Sequence, residues 1–104
     1  MAANMAKMLK EAQKLEKKFA EVRESLAEMK VEGTAGGGVV RVEMNGQRDV
    51  LAVKVEAEAV EGGDVDMLED LLLSALRDAK QKSDELAASE MSKVTGGMVP
   101  PGLG

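Results

Sequence analysis

Lys7, Lys10, Lys14 and Lys17 stand three, four and three residues apart. On an α-helix that spacing puts all four on one face, since residues three and four apart lie one above the other. At 1.5 Å of rise per residue the row runs for roughly 15 Å, about three turns. Lys18 flanks it. Such a row of ammonium groups can hold anionic groups by charge. It can equally be a plain solvated helix face, where lysine is common. The same face continues as Glu21, Glu24 and Glu28, so its charge changes sign halfway along.

Residue types exclude most other chemistry. The 104 residues include no Cys, His, Trp or Tyr, and Phe19 is the sole aromatic. Without Cys there is no disulfide, thiolate zinc site or thiol nucleophile. Without His there is no default general base near neutral pH and no Ser-His-Asp triad. Ser, Lys and the carboxylates form no clustered constellation in their place, so we expect a non-enzyme with no cofactor, no metal and no small-molecule substrate. One aromatic side chain is no platform for stacking single-stranded nucleic acid. Gly36-Gly37-Gly38 leads into the strand-like VVRVEM. A phosphate loop would lead into a helix with Lys and Ser/Thr placed for the phosphates. A tight strand connection or a close backbone approach is the expected role. Gly62-Gly63-Asp64-Val65-Asp66 lacks the ligand spacing and closing Glu of a calcium loop.

The element carrying the lysines follows from hydrophobic spacing. Met5, Met8, Ala12, Leu15, Phe19, Val22, Leu26 and Met29 recur at alternating steps of three and four, with no Gly or Pro between them. That is a heptad stripe on a helix over about residues 3–30. Two apolar positions in seven make a narrow seam, suited to a partner helix; a helix lying on a core shows a wider stripe. Met5, Met8, Ala12, Leu15 and Phe19 are therefore candidate seam residues. We expect the N-terminal half to project as an arm, whereas the C-terminal half suits packing on the chain's own sheet equally well.

VEGTA reads as a short strand. Residues 39–57 read as a hairpin about Asn45-Gly46, a signal for a two-residue type I′ turn. That turn would make paired residue numbers sum to 91, placing Val40 opposite Leu51 and Glu43 opposite Arg48. Val40, Val42, Met44, Leu51, Val53 and Val55 would share one face. The other face, mixed in character, would be either half-solvated or partly covered by a second subunit. Asp64 is a good N-cap for a second helix over about 64–94. Its apolar face would hold Val65, Leu68, Leu72, Ala75, Leu76, Ala79 and Leu86, with Gly96 at C′. The expected fold class is α+β in the order α-β-β-β-α: two layers, a small antiparallel meander sheet and two long flanking helices, dimeric. One domain would cover 1–95 (arm 1–30, sheet 31–60, helix 64–95), with a mobile Gly/Pro-rich tail at 96–104.

Composition adds a prior for association. Apolar residues make up 44% of the chain, but as Ala, Val, Leu and Met rather than bulky aromatics, so a lone monomer would have a thin core. Charge is polarised. Residues 1–23 carry six basic and three acidic residues, a balance of +3, and residues 24–104 carry eight basic and sixteen acidic, a balance of −8. MAANMAKMLKEAQKLEKK has no apolar signal-peptide core, and no stretch approaches the ~20 apolar residues of a membrane span. A soluble, cytosolic protein without membrane contact is expected.

Several motifs then coincide: the Met/Lys/Gln-rich first helix, VEGTAGGGVV, V-x-MNG, DxxMLEDLLLSALxDA and MSKVTGGMVPPGLG. Together, nearly end to end, they resemble the YbaB/EbfC family of bacterial nucleoid-associated proteins. The resemblance implies a tweezer-shaped homodimer with helices projecting from a joined sheet body. It also implies a cytoplasmic, nucleoid location, duplex DNA as partner with little sequence preference, and compaction or bending that affects gene expression. On that basis Lys7, Lys10, Lys14, Lys17 and Lys18 are the expected phosphate contacts, with Lys80, Lys82 and Lys93 as alternatives. A different reading makes the chain a protein–protein adaptor, with Met1, Met5 and Met8 capturing a partner's apolar surface.

Overall fold

A computed structural model describes residues 2–96. The elements run α1 (Ala2–Leu26), β1 (Lys30–Ala35), β2 (Val40–Asn45), β3 (Val50–Val55) and α2 (Val65–Val94), with 3-10 turns at Gly36–Gly38 and Ala57–Gly63. The strands form an antiparallel meander in the order β1-β2-β3, and α2 lies across it, so the expected α-β-β-β-α order holds. Met1 and the tail from residue 97 lie outside the described residues.

The core sits between α2 and the first two strands. Val40, Val42 and Met44 of β2 are buried against Ala75 and Ala79 of α2, together with Ala59 from the turn that joins β3 to α2. Gly33 of β1 lies against α2 so closely that a Cβ there would run into the backbone of Ala75 and Ala79. Two α2 side chains close the outer edge of β1. Asp78 accepts from the Thr34 N–H at 2.9 Å, and Lys82 donates to the Glu32 carbonyl at 2.9 Å. Among the described residues the β3 edge has no such cover, and its Val53 and Val55 remain 49% and 41% exposed. Asp64 caps α2 as expected, accepting from the Met67 N–H, and Gly96 follows the helix at φ +65. Val65, expected on the apolar face, is exposed at the first turn. Leu71, absent from the expected face, packs beside the core.

Two expectations are corrected. First, α1 ends at Leu26 rather than near residue 30. Its last turns tighten to three-residue hydrogen bonds, Ala27 to Glu24 and Glu28 to Ser25. The terminal carbonyls, which an α-helix leaves unsatisfied, are taken by the hairpin turn: Gly46 N–H donates to Leu26 at 2.8 Å and the Gln47 side chain to Arg23 at 2.7 Å. Second, the turn is not a two-residue type I′. Asn45 pairs with Asp49 across a three-residue loop, Arg48 donates to the Asn45 carbonyl, and Arg48 rather than Gly46 takes the left-handed conformation, at φ +68. That is a type I turn closed by a left-handed residue. Val40 therefore faces Val55, and Glu43 faces Ala52, with a bulge after Glu43. Before the bulge, paired numbers sum to 95 instead of 91. The shift is even, so Val40, Val42, Val53 and Val55 keep a common face.

Candidate nucleic-acid interface

The molecule measures 73 × 26 × 17 Å with a radius of gyration of 19.7 Å, against about 13 Å for a compact chain of this length. The arm causes the elongation. Every residue from Ala3 to Lys18 is exposed, and α1 meets the body only from Phe19 onward. Local sequence explains why the arm stays helical: Ala, Met, Leu, Lys, Gln and Glu dominate it, all strong helix formers.

The arm gathers Lys7, Lys10, Lys14, Lys17 and Lys18 on its exposed surface, and among the described residues none of the five pairs with a carboxylate. Several cations of the body are engaged. Lys30 binds Glu43, Arg41 binds Glu56 at 2.7 Å, Arg48 binds Asp84 at 2.9 Å, and Lys93 binds Glu90. Of the alternative contacts, Lys82 is held by Asp78 and Glu32, and Lys93 by Glu90. Lys80 is exposed, in a shallow depression along α2 with Arg77, Asp84 and Glu85.

The seam divides where the arm meets the body. Met5, Met8, Ala12 and Leu15 are exposed, Met5 and Met8 by 72% and 69%; Phe19 and Val22 are half-buried, and Leu26 is buried. Leu9, one residue off the heptad stripe, is 62% exposed beside them. Its position next to Met8 is the signal of a wider apolar patch. A heptad pattern does not include it, because two positions in seven already account for the stripe.

Sequence reasoning also missed Asp78. The Thr34 N–H and the Lys82 ammonium hold its carboxyl below the ordinary aspartate range, the backbone hydrogen bond contributing most. This group fixes α2 to the edge of β1 and belongs to the body, away from the arm. Among the described residues no group of three or more His, Cys, Asp or Glu is placed to hold a metal ion. No helix among them is long and apolar enough to cross a membrane.

Comparison with known proteins places the whole chain. The profile of the YbaB/EbfC DNA-binding family matches residues 1–98. A nucleoid-associated protein of Desulforamulus reducens is 46% identical, over 99% of this chain and 98% of that one. One of Dictyoglomus turgidum is 45% identical, over 96% and 97%, and one of Alkaliphilus metalliredigens 40% identical, over 98% and 90%. The crystal structure of an uncharacterized protein from Helicobacter pylori superposes with a TM-score of 0.76 at 21% identity, covering 88% of this chain and 96% of that one. That likeness concerns the fold.

Proposed function

Because the chain belongs to the YbaB/EbfC DNA-binding family, we propose that it acts as a non-enzymatic, nucleoid-associated homodimer that binds duplex DNA through the lysine ridge of α1. The observation that carries this reading is the unpaired row Lys7, Lys10, Lys14 and Lys17, with Lys18, on an arm standing clear of an acidic body. Ammonium groups in a row along a helix contact phosphates, which position a duplex without reading its sequence. The acidic body repels DNA and confines the contact to the arms. Dimerisation is supported by the sheet: one edge is closed by Asp78 and Lys82, and the other, β3, leaves Val53 and Val55 uncovered. An open apolar edge strand is a template for a second chain. Two ridges on one dimer would hold two stretches of a duplex and so bend or compact it. The test is a DNA titration at two salt concentrations. It compares wild type with the Lys7/Lys10/Lys14/Lys17→Glu variant, after light scattering shows equal mass. Salt-sensitive binding that the variant loses supports the reading; no binding by wild type at low salt overturns it.

A second reading, an adaptor that captures a protein through Met5 and Met8, is favoured by their exposure. It is distinguished by which variants abolish function in cells: Met5→Glu and Met8→Glu for the adaptor, lysine replacements for DNA binding.

A further inference from the structure

The apolar seam of the arm lies apart from its lysine ridge, and among the described residues nothing covers it between Met5 and Leu15. Met5, Met8, Ala12 and Leu15 are exposed along it, and Phe19 and Val22 at its base are only half-buried. We propose that this seam packs against the seam of a second copy of the chain, with the two arms antiparallel.

The flanking charges argue the orientation. With Met5, Ala12 and Phe19 at heptad position a and Met8, Leu15 and Val22 at d, the e positions hold Leu9, Glu16 and Arg23, and the g positions hold Glu11 and Lys18. In a parallel pair each g residue meets the following e residue of the other helix. Glu11 would then face Glu16 of the second copy, and Lys18 would face Arg23. Symmetry repeats both repulsions. In an antiparallel pair with Ala12 opposite Leu15, g meets g. Glu11 then faces Lys18 of the second copy, and Lys18 faces Glu11, giving two opposite-charge contacts. At e, Leu9 lies beside Glu16 with no like charges opposed.

The same register accounts for the base of the seam. Met8 falls opposite Phe19 of the second copy and Met5 opposite Val22, so the half of each side chain left uncovered by its own body gains a neighbour. The overlap of residues 5–22 is roughly 26 Å long, and the two bodies stand at its opposite ends. Lys7, Lys10, Lys14 and Lys17 occupy positions c and f, on the far side from a and d, and stay open to solvent. The pairing goes beyond the DNA reading: it uses a different face of the helix and links bodies to one another.

The chain contains no cysteine, so introduced cysteines report proximity without background. Ala12 and Leu15 are exposed, so neither A12C nor L15C touches the core. An equal mixture of the two proteins is oxidised without DNA, and a disulfide needs Cα atoms within about 7 Å. The expected result is a dominant product joining the A12C protein to the L15C protein, above the statistical mixture, with yield falling severalfold when Met8→Glu is added to both. Self-joined A12C as the main product overturns the antiparallel orientation. A yield no greater than that of a ridge control, K7C, overturns the pairing itself. Because no DNA is present, either failure leaves the DNA reading to its own titration.

Discussion

The carbonyl oxygen of Leu26, in the last turn of α1, accepts a hydrogen bond from the Gly46 N–H in the β2–β3 turn at 2.8 Å. The turn makes further bonds to the base of the arm. Asn45 Nδ2 donates to the Ala27 carbonyl, and Gln47 Nε2 to that of Arg23. On its other side the turn is held by α2: Ser83 Oγ donates to the Asn45 carbonyl at 2.8 Å, and Arg48 pairs with Asp84 at 2.9 Å. The hairpin turn therefore sets where the arm leaves the body. The lysines are carried by α1, but their placement relative to the sheet depends on residues 45–48.

Gly46→Ala should destabilise the fold. A Cβ at Gly46 would stand 2.9 Å from both Cβ and O of Leu26 and 2.6 Å from its Cδ2, and the backbone oxygen cannot swing away. Overpacking of this kind costs about 1–3 kcal/mol. Urea unfolding measures it, and a loss below about 0.5 kcal/mol, the range of neutral surface changes, would contradict the close approach.

Ser83→Ala removes a buried hydroxyl whose bond to Asn45 ties α2 to the turn. The Asn45 carbonyl keeps its bond from Arg48 N–H, so no acceptor is orphaned, and the expected loss is about 1 kcal/mol. The same unfolding experiment reads it; an unchanged midpoint would show that the bond contributes nothing.

Asp78 predicts a pH dependence. Its carboxyl is held below the ordinary value by the Thr34 N–H and Lys82. A depressed folded-state pKa means that the unfolded chain binds the proton more readily. The stabilisation is therefore present above the ordinary aspartate value of about 3.9 and is lost as pH falls through the folded-state value. Asp78→Asn keeps an acceptor for Thr34 but removes the charge. Between pH ~2 and ~5 the urea midpoint of wild type should fall more steeply than that of the variant. Parallel curves would rule Asp78 out as a contributor.

The lysine ridge predicts a salt slope. If ~4–8 phosphates are neutralised, log K falls with log salt at a slope near −4 to −7. Each of Lys10→Ala and Lys14→Ala should then make the slope shallower by about one for every phosphate left without its ammonium partner, uniformly across DNA sequences. A slope near zero for wild type, or one unchanged in both variants, would place the phosphates elsewhere.

The β3 edge predicts a change in mass. Val53 is half-exposed in the isolated chain, so in a Met8→Glu background, which keeps the arm seams apart, Val53→Lys should leave helix content by circular dichroism unchanged while light scattering shows the particle mass halved. A mass that survives the substitution would move the dimer interface away from β3.

Much of the fold was legible because local rules acted alone. The three-and-four spacing from Met5 to Leu26 meets no Gly or Pro, so α1 followed from periodicity; Asp64 and Gly96 bound α2 by capping chemistry that needs no neighbour. What failed were places where a distant contact overrode a local signal. Gly46 reads as a type I′ turn glycine, yet it is small because Leu26 leaves no room for a Cβ. Asn45 bends the turn instead, its Oδ1 accepting from the N–H groups of Gln47 and Asp49. Periodicity at 27–29 allowed α1 to continue, but its last carbonyls were already bonded to the turn.

Sequence by itself determined the side chains on offer: a row of lysines at helical spacing, an apolar seam on another face of the same helix, and no thiol or imidazole. Spacing on a helix is a local property, so those faces exist wherever the helix forms. Tertiary structure alone decided where along the stripe the arm leaves the body, because the stripe is covered only from Phe19 onward, a boundary that its unbroken periodicity does not mark. It alone decided which sheet edge stays open, because α2 runs over β1 and β2, where Gly33 admits its backbone and Asp78 and Lys82 reach the β1 edge, and leaves β3 uncovered. Those outcomes depend on contacts between residues tens of positions apart, which no local pattern encodes.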